Sequence, residues 1–294
     1  MTVICAALGV ALISGLAAYL LARRWPRLDP AAPRVDASSP GLQHEVAQHP
    51  RLRTLLRREV DPQAATSLAV AVCVAAILLL AVGIGALLLM IETHSGLAKW
   101  DLSFARWGAD HADATSTRVM RDISLLGGTA GVLTMAAVAG VVEYRRRPNR
   151  AIPALLALTV LGQFAIMNIV KAVVDRDRPD ISRLTGFSGA SFPSGHATAA
   201  AATFAVIGLL AGRGRSRTTR NVIAGIVVAL AVLVAASRVM LGVHWLTDVI
   251  AGIALGWAWL AVCSIAFGGR VLHFGAPVAA ASAVAEDVAT TASS

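Results

Sequence analysis

From residue 65 to residue 91 the chain reads ATSLAVAVCVAAILLLAVGIGALLLMI, with no charged side chain in it. A helix needs about 20 apolar residues to cross a hydrocarbon core, so this run is long enough to span one. Further apolar runs lie near 2–22, 125–143, 151–170, 197–212, 221–240 and 249–267. Only 15% of the chain is charged and 56% is hydrophobic, where soluble domains carry about a quarter charged residues. The fold this predicts is all-α: a polytopic membrane helix bundle whose six-span core at 65–267 is preceded by one extra transmembrane helix at 1–22.

The formal net charge of +9 does not point to nucleic acid, because the arginines sit in clusters beside apolar runs and no basic groove with interleaved aromatics is visible. Arg23, Arg24 and Arg27 follow the first span, and Arg51, Arg53, Arg57 and Arg58 precede the second. Arg145, Arg146, Arg147 and Arg150 separate the third and fourth, and Arg213, Arg215, Arg217 and Arg220 the fifth and sixth. If these loops are cytoplasmic, strict alternation follows, with the N-terminus outside and the C-terminus inside a plasma membrane. The start, MTVICAA, has no positive charge before the apolar stretch, which favours a retained anchor over a cleaved signal peptide. The cysteines Cys5, Cys73 and Cys263 each fall within apolar runs and read as buried hydrophobes.

Residues 23–64 read as a cytoplasmic linker. Within it, RLRTLLRREV puts Leu52, Leu55, Leu56 and Val60 on one face, as a basic amphipathic helix on the inner leaflet would. In LAKWDLSFARWGADH the spacing of Leu97, Trp100, Phe104 and Trp107 predicts a helix lying in the outer interface. The Ala/Ser/Thr-rich segment from 268 to 294 reads as a disordered cytoplasmic tail.

Three polar clusters fall at the same outer level. The first is Lys171 at the end of the fourth span with Arg178–Pro179 after it; the second is Pro193–Ser194–Gly195–His196 at the mouth of the fifth. The third is Ser237–Arg238 ending the sixth, with His244 and Asp248 opening the seventh. Ionisable groups at membrane depth usually mark function, and Lys171, Arg178 and Arg238 converging on one place call for an anion such as phosphate. Ser194 is expected to cap the fifth helix, leaving the amides of Ser194, Gly195 and His196 at the positive end of its dipole. Gly195 admits a close ligand and Pro193 fixes the approach. His244 and Asp248, four residues apart, share a helical face, so the carboxylate can hold one imidazole nitrogen while the other attacks phosphorus. His196 then serves as general acid. Asp175, Asp177 and Asp180 alternate with Arg176, Arg178 and Arg183, which reads as a salt-bridged loop rather than a metal site.

These residues, Lys171, six further positions and Arg178–Pro179, then Pro193–Ser194–Gly195–His196, then Ser237–Arg238 with His244 and Asp248, resemble the three-part signature of the type 2 phosphatidic acid phosphatase superfamily without a departure. The resemblance covers about 65–267 and implies a phosphohistidine at His244, assistance from Asp248, protonation of the leaving group by His196, and phosphate binding by Lys171, Arg178, Ser194, Gly195 and Arg238. It implies no metal and no other cofactor, and it is silent on residues 1–64 and the tail.

Taken singly, Lys171 has a bland reading as a snorkelling helix end, and Ser194 and Asp248 as helix caps. The bland readings leave the convergence of all three clusters unexplained. Trp245 reads as an interfacial anchor. An anion or lipid transporter would carry its cations at mid-span in broken helices, and a non-catalytic lipid-phosphate-binding scaffold would have no use for both histidines. The function expected is therefore metal-independent hydrolysis of a lipid phosphomonoester or diphosphate at the outer face, with membrane lipids as the other partners. The resemblance admits polyprenyl diphosphates, phosphatidic acid, diacylglycerol pyrophosphate and phosphatidylglycerol phosphate, with the composition favouring an undecaprenyl- or decaprenyl-type carrier and the lipid tail lying beside the fourth to sixth spans. Oligomeric state leaves no mark in the sequence.

Overall fold

The computed structural model describes residues 1–24, 62–181 and 183–267. Most of the expected linker, including its amphipathic segment, and the expected tail lie outside those residues. The elements are α1 (Thr2–Arg24), α2 (Pro62–Glu92), a 3-10 turn (Gly96–Trp100), α3 (Asp101–Asp110), α4 (Ala114–Leu125), α5 (Thr129–Arg146), α6 (Ala151–Val174), α7 (Gly195–Gly212), α8 (Arg217–Met240) and α9 (Leu246–Ala266). There is no strand among the described residues.

Five helices, α1, α6, α7, α8 and α9, are long and apolar enough to cross a membrane alone. The expected spans at 65–91 and 125–143 pass that test as members of bent pairs. Ile77–Glu92 meets Gly96–Asp110 at 53°, and Ala114–Leu125 meets Thr129–Arg146 at 49°. The second break explains why α5 starts later than the apolar run: a Cβ on Gly127 would stand 2.8 Å from the His196 carbonyl oxygen, so the turn is held against the site. The expected interfacial helix is present as the 3-10 turn and α3. Leu97, Trp100 and Phe104 are exposed on it, while Trp107 packs into the core beside Met120 and Val239.

The bundle is built around α7, whose Ala197 and Ala199–Ala202 are all 0% exposed. An alanine-rich surface lets neighbouring backbones approach closely, the usual means of helix association in lipid. On α9, Gly252 and Gly256 face it. A Cβ on Gly252 would lie 2.7 Å from the Ser194 carbonyl oxygen, and one on Gly256 2.5 Å from that of Thr198. Helices α8, α6 and α5 pack on the remaining sides of α7. α1 runs along α8 by the same device: Ala7, Ala11 and Gly15 recur at four-residue steps, and a Cβ on Gly15 would meet the Gly225 carbonyl oxygen at 2.7 Å. Lipid-facing side chains are correspondingly bare, among them Leu12, Leu79, Val82, Leu161 and Val173.

Polar chemistry divides between the two ends of this bundle. One end gathers the N-terminus of α7, the C-termini of α6 and α8, and α3. The other gathers arginines: Arg217 donates to the Arg23 carbonyl at 2.6 Å, Arg146 pairs with Glu143 at 3.1 Å, and Arg147 lies against Gly214.

Candidate active site

At the first end a cavity of about 510 Å³ is lined by Lys171, Arg178, Gly195, His196, Arg238 and His244, together with Thr129, Asn168 and Phe187. Six of the eight expected site residues therefore share one wall; Ser194 and Asp248 lie immediately behind it. His244 sits in the turn between α8 and α9 and is only 2% exposed. Its Nε2 is 3.3 Å from Arg178 Nη1 and its Nδ1 is 3.4 Å from Asp248 Oδ2. Arginine has no lone pair to offer, so Nε2 is the acceptor and Nδ1 carries the proton toward the carboxylate. The nitrogen on the side of Arg178, itself a lining residue, is thus the unprotonated one. Burial pulls the imidazole well below its ordinary value, to about 4, against the opposing effect of its hydrogen bond to Asp248. The ring is neutral at pH 7.

Asp248 is fully buried in the first turn of α9. Its Oδ2 accepts from the Trp245 amide at 3.0 Å and from the Ser191 hydroxyl, and its Oδ1 accepts from Arg176 Nη1 at 2.6 Å. The same carboxylate caps its helix and lies against His244, so the cap and the contact with the imidazole are not alternatives.

Arg178 follows the turn that ends α6, where Asp175 adopts φ 41° as the C-cap. Its guanidinium is caged by the carbonyls of Ser188, Gly189, Ala190 and Val243, at 2.7–3.1 Å, and lies over the Phe187 ring at 4.9 Å. Burial holds it below its ordinary value, with Asp248 acting in the opposite sense. Lys171 Nζ donates to the Ala190 carbonyl. Arg238, 4% exposed, donates to the Ser124 hydroxyl at 2.6 Å, and its Nε has no partner among the described residues.

The mouth of α7 differs from expectation in two respects, the Ser194 hydroxyl and the Ser194 amide. Ser194 is the N-cap, but its side chain does not cap: the hydroxyl is buried without a partner among the described residues, and its amide donates to the Asp248 carbonyl at 3.0 Å. The amides of Gly195 and His196 remain as the orphan donors that any helix start has. A Cβ at Gly195 would meet only the Met167 side chain, at an ordinary 3.5 Å, so packing within the protein does not demand glycine there. What it leaves open is the cavity side.

The acidic residues of the connecting loop do not take the partners expected for them. Arg176 pairs with Asp101 at 2.8 Å and with Asp248, not with Asp175, Asp177 or Asp180. The local alternation of charge was a poor guide because the loop folds inward at Arg176. Trp245 donates to the Asp177 carbonyl at 2.8 Å and stacks under Arg176, which makes it a tie between loop and helix. Asp101, Ser124, Ser191 and Thr247 are site-end residues that sequence reasoning missed. Beside the cavity, one turn further along the same two helices, an apolar groove of about 610 Å³ runs between α5 and α6, past Leu133, Gly140, Leu156 and Leu161, to Tyr144 and Arg145.

Comparison with known proteins identifies the family and the fold. Residues 152–271 match the model of the PAP2 superfamily. The chain is 36% identical over 146 residues to phosphatidylglycerophosphatase B of Bacillus subtilis (strain 168), covering 47% of this chain and 68% of that protein. It is 37% identical over 115 residues to a lipid A 1-phosphatase of Rhizobium etli, covering 36% of this chain and 46% of the relative. Among solved structures it resembles the crystal structure of the first transmembrane PAP2 type phosphatidylglycerolphosphate phosphatase, from Bacillus subtilis. The TM-score is 0.57 at 27% identity, over 64% of this chain and 94% of the other.

Proposed function

The chain belongs to the PAP2 superfamily, and from that premise we propose that it removes phosphate from a membrane lipid through a histidine nucleophile. The observation that carries this reading is the bracketing of His244, with Arg178, itself a lining residue, on one ring nitrogen and Asp248 on the other. Nε2 of His244 attacks phosphorus, the bond to the lipid oxygen breaks, and the departing oxygen takes its proton from His196, which lines the same cavity. Water, giving a proton back to His196, then attacks the phosphohistidine, the phosphorus–nitrogen bond breaks, and phosphate leaves with the imidazole restored. Lys171, Arg178, Arg238 and the first amides of α7 oppose the charge on the transferring group, the main requirement of phosphoryl transfer. Among the described residues no cluster of three or more His, Cys, Asp or Glu is arranged to hold a metal ion. The chemistry assigned to the side chains above runs without one.

The lipid tail we assign to the groove between α5 and α6, the third and fourth spans, rather than beside the fourth to sixth. The groove starts about one turn beyond the cavity on the same pair of helices, and the helix at the centre of the alternative, α7, is buried. The gathering of Arg23, Arg147 and Arg217 at the far end supports, by the positive-inside rule, a cavity that opens on the outer face of the membrane.

Release of inorganic phosphate by the purified protein, in EDTA, from phosphatidic acid, phosphatidylglycerol phosphate and a polyprenyl diphosphate tests this reading. The expected result is release from at least one lipid, reduced about 10³-fold or more in His244→Ala. No release from a folded protein, or release undiminished by His244→Ala, overturns it.

A further inference from the structure

Arg176 and Asp101 have no part in the chemistry above, yet each is tied to the carboxylate that orients His244. Asp101 opens α3, is 3% exposed and lies far from the other site residues in sequence. Arg176 stands in the loop after α6 with its side chain 15% exposed. The arginine fork spans two carboxylates, Nη1 to Asp248 Oδ1 at 2.6 Å and Nη2 to Asp101 Oδ2 at 2.8 Å. Asp101 also accepts from the Thr247 amide at 2.9 Å and its hydroxyl at 2.7 Å, and Arg176 Nη1 reaches that hydroxyl at 2.8 Å. Thr247 is the residue before Asp248.

We propose that Arg176 and Asp101 are positioning residues for the phosphatase reaction: a guanidinium between two buried carboxylates that fixes which oxygen of Asp248 faces His244 and how much of its charge the imidazole feels. The inference rests on the function proposed above. A carboxylate has two equivalent oxygens and can rotate to offer either. With Oδ1 committed to Arg176, Oδ2 is the oxygen left for Ser191, the Trp245 amide and His244. Arg176 also draws part of the negative charge of Asp248 toward itself, and Asp101 in turn draws on the charge of Arg176. Through this chain α3, the helix expected only to lie in the interface, reports to the catalytic histidine.

The chain makes a signed prediction that a merely structural contact does not. Replacing Arg176 by glutamine removes a positive charge, lets the imidazole feel more of Asp248, and moves the acid limb of kcat/KM to higher pH. Replacing Asp101 by asparagine removes a negative charge, leaves Arg176 wholly to Asp248, and moves the limb to lower pH. Each shift is expected to be about half a unit to one unit, with kcat falling about tenfold to a hundredfold in Arg176→Gln and KM little altered. Arg176→Lys keeps the charge and loses the fork, so it lowers kcat while leaving the limb in place. The other groups facing His244, namely Asp248 from α9, Arg178 and Ser191 from the loop, His196 from α7 and Arg238 from α8, are untouched in all three variants.

The same titration is to be followed by NMR of the His244 imidazole, assigned with His244→Gln, in the full-length protein in micelles. That second readout separates the two claims. A wild type that releases no phosphate from any of the three lipids sinks the proposed function, while the imidazole titration still decides the chain. Limbs and imidazole titrations that move in opposite directions in Arg176→Gln and Asp101→Asn support it. Variants that keep the wild-type imidazole titration and lose only thermal stability, or that shift it in the same direction, overturn it.

Discussion

Both ends of the bundle are rich in arginine, and they use it in opposite ways. At the arginine end, Arg146 makes an ion pair at 3.1 Å with its side chain 54% exposed, and Arg217 donates to a backbone carbonyl. At the cavity end, Arg238 is 4% exposed and pinned to Ser124, Arg178 sits in a cage of four carbonyls, and Arg176 bridges two buried carboxylates. Exposed ion pairs contribute about 0–1 kcal/mol, whereas breaking a buried one costs about 3–5 kcal/mol. Composition treats the two ends alike. What distinguishes them is what the surrounding helices do with the side chain.

The contrast can be broken by matched substitutions. Arg238→Ala is expected to lower kcat/KM for the lipid phosphate by about 10²–10³, in line with the loss of one preorganised donor to a transferring group, while Arg217→Ala stays within about a factor of two. Steady-state phosphate release from both variants, side by side, checks it; equal losses would mean the two ends are not functionally distinct. A second pair concerns packing. Gly252→Val puts a branched side chain where even a Cβ lies 2.7 Å from the Ser194 carbonyl oxygen, whereas Gly83 has nothing within 4 Å of its Cβ position. Overpacking costs about 1–3 kcal/mol, so Gly252→Val lowers the thermal midpoint in detergent and Gly83→Val leaves it unchanged. The smallest effect is in pH. As the proposed nucleophile His244 must be neutral, and burial holds it at about 4, so its own protonation lowers kcat/KM only as pH falls toward 4. An acid limb near the ordinary histidine value would show that the ring is not held as described.

The spans were legible because charge-free runs and flanking arginines each record the membrane directly, residue by residue. The site was legible where its residues stand in short, fixed spacings: Lys171 to Arg178, Pro193 to His196, Arg238 to Asp248. What escaped was every partner brought in from far along the chain. Asp101 looked like one charge on an ordinary amphipathic helix, and Ser124 like any polar residue near a helix end; only folding puts them against Arg176 and Arg238. Local pattern misled at Arg176, whose acidic neighbours in sequence are not its partners, and at Ser194, whose hydroxyl does not cap. The pair Gly252 and Gly256 was visible as a four-residue step of small residues, but its meaning depends on the facing alanines of α7.

The groove between α5 and α6 is bordered by side chains that face lipid, with Leu161 61% and Val141 55% exposed. An enzyme loaded through such a side opening meets its substrate in two dimensions. Its rate follows the mole fraction of that lipid in the surrounding leaflet, so inert detergent or phospholipid added at constant bulk concentration slows it by surface dilution.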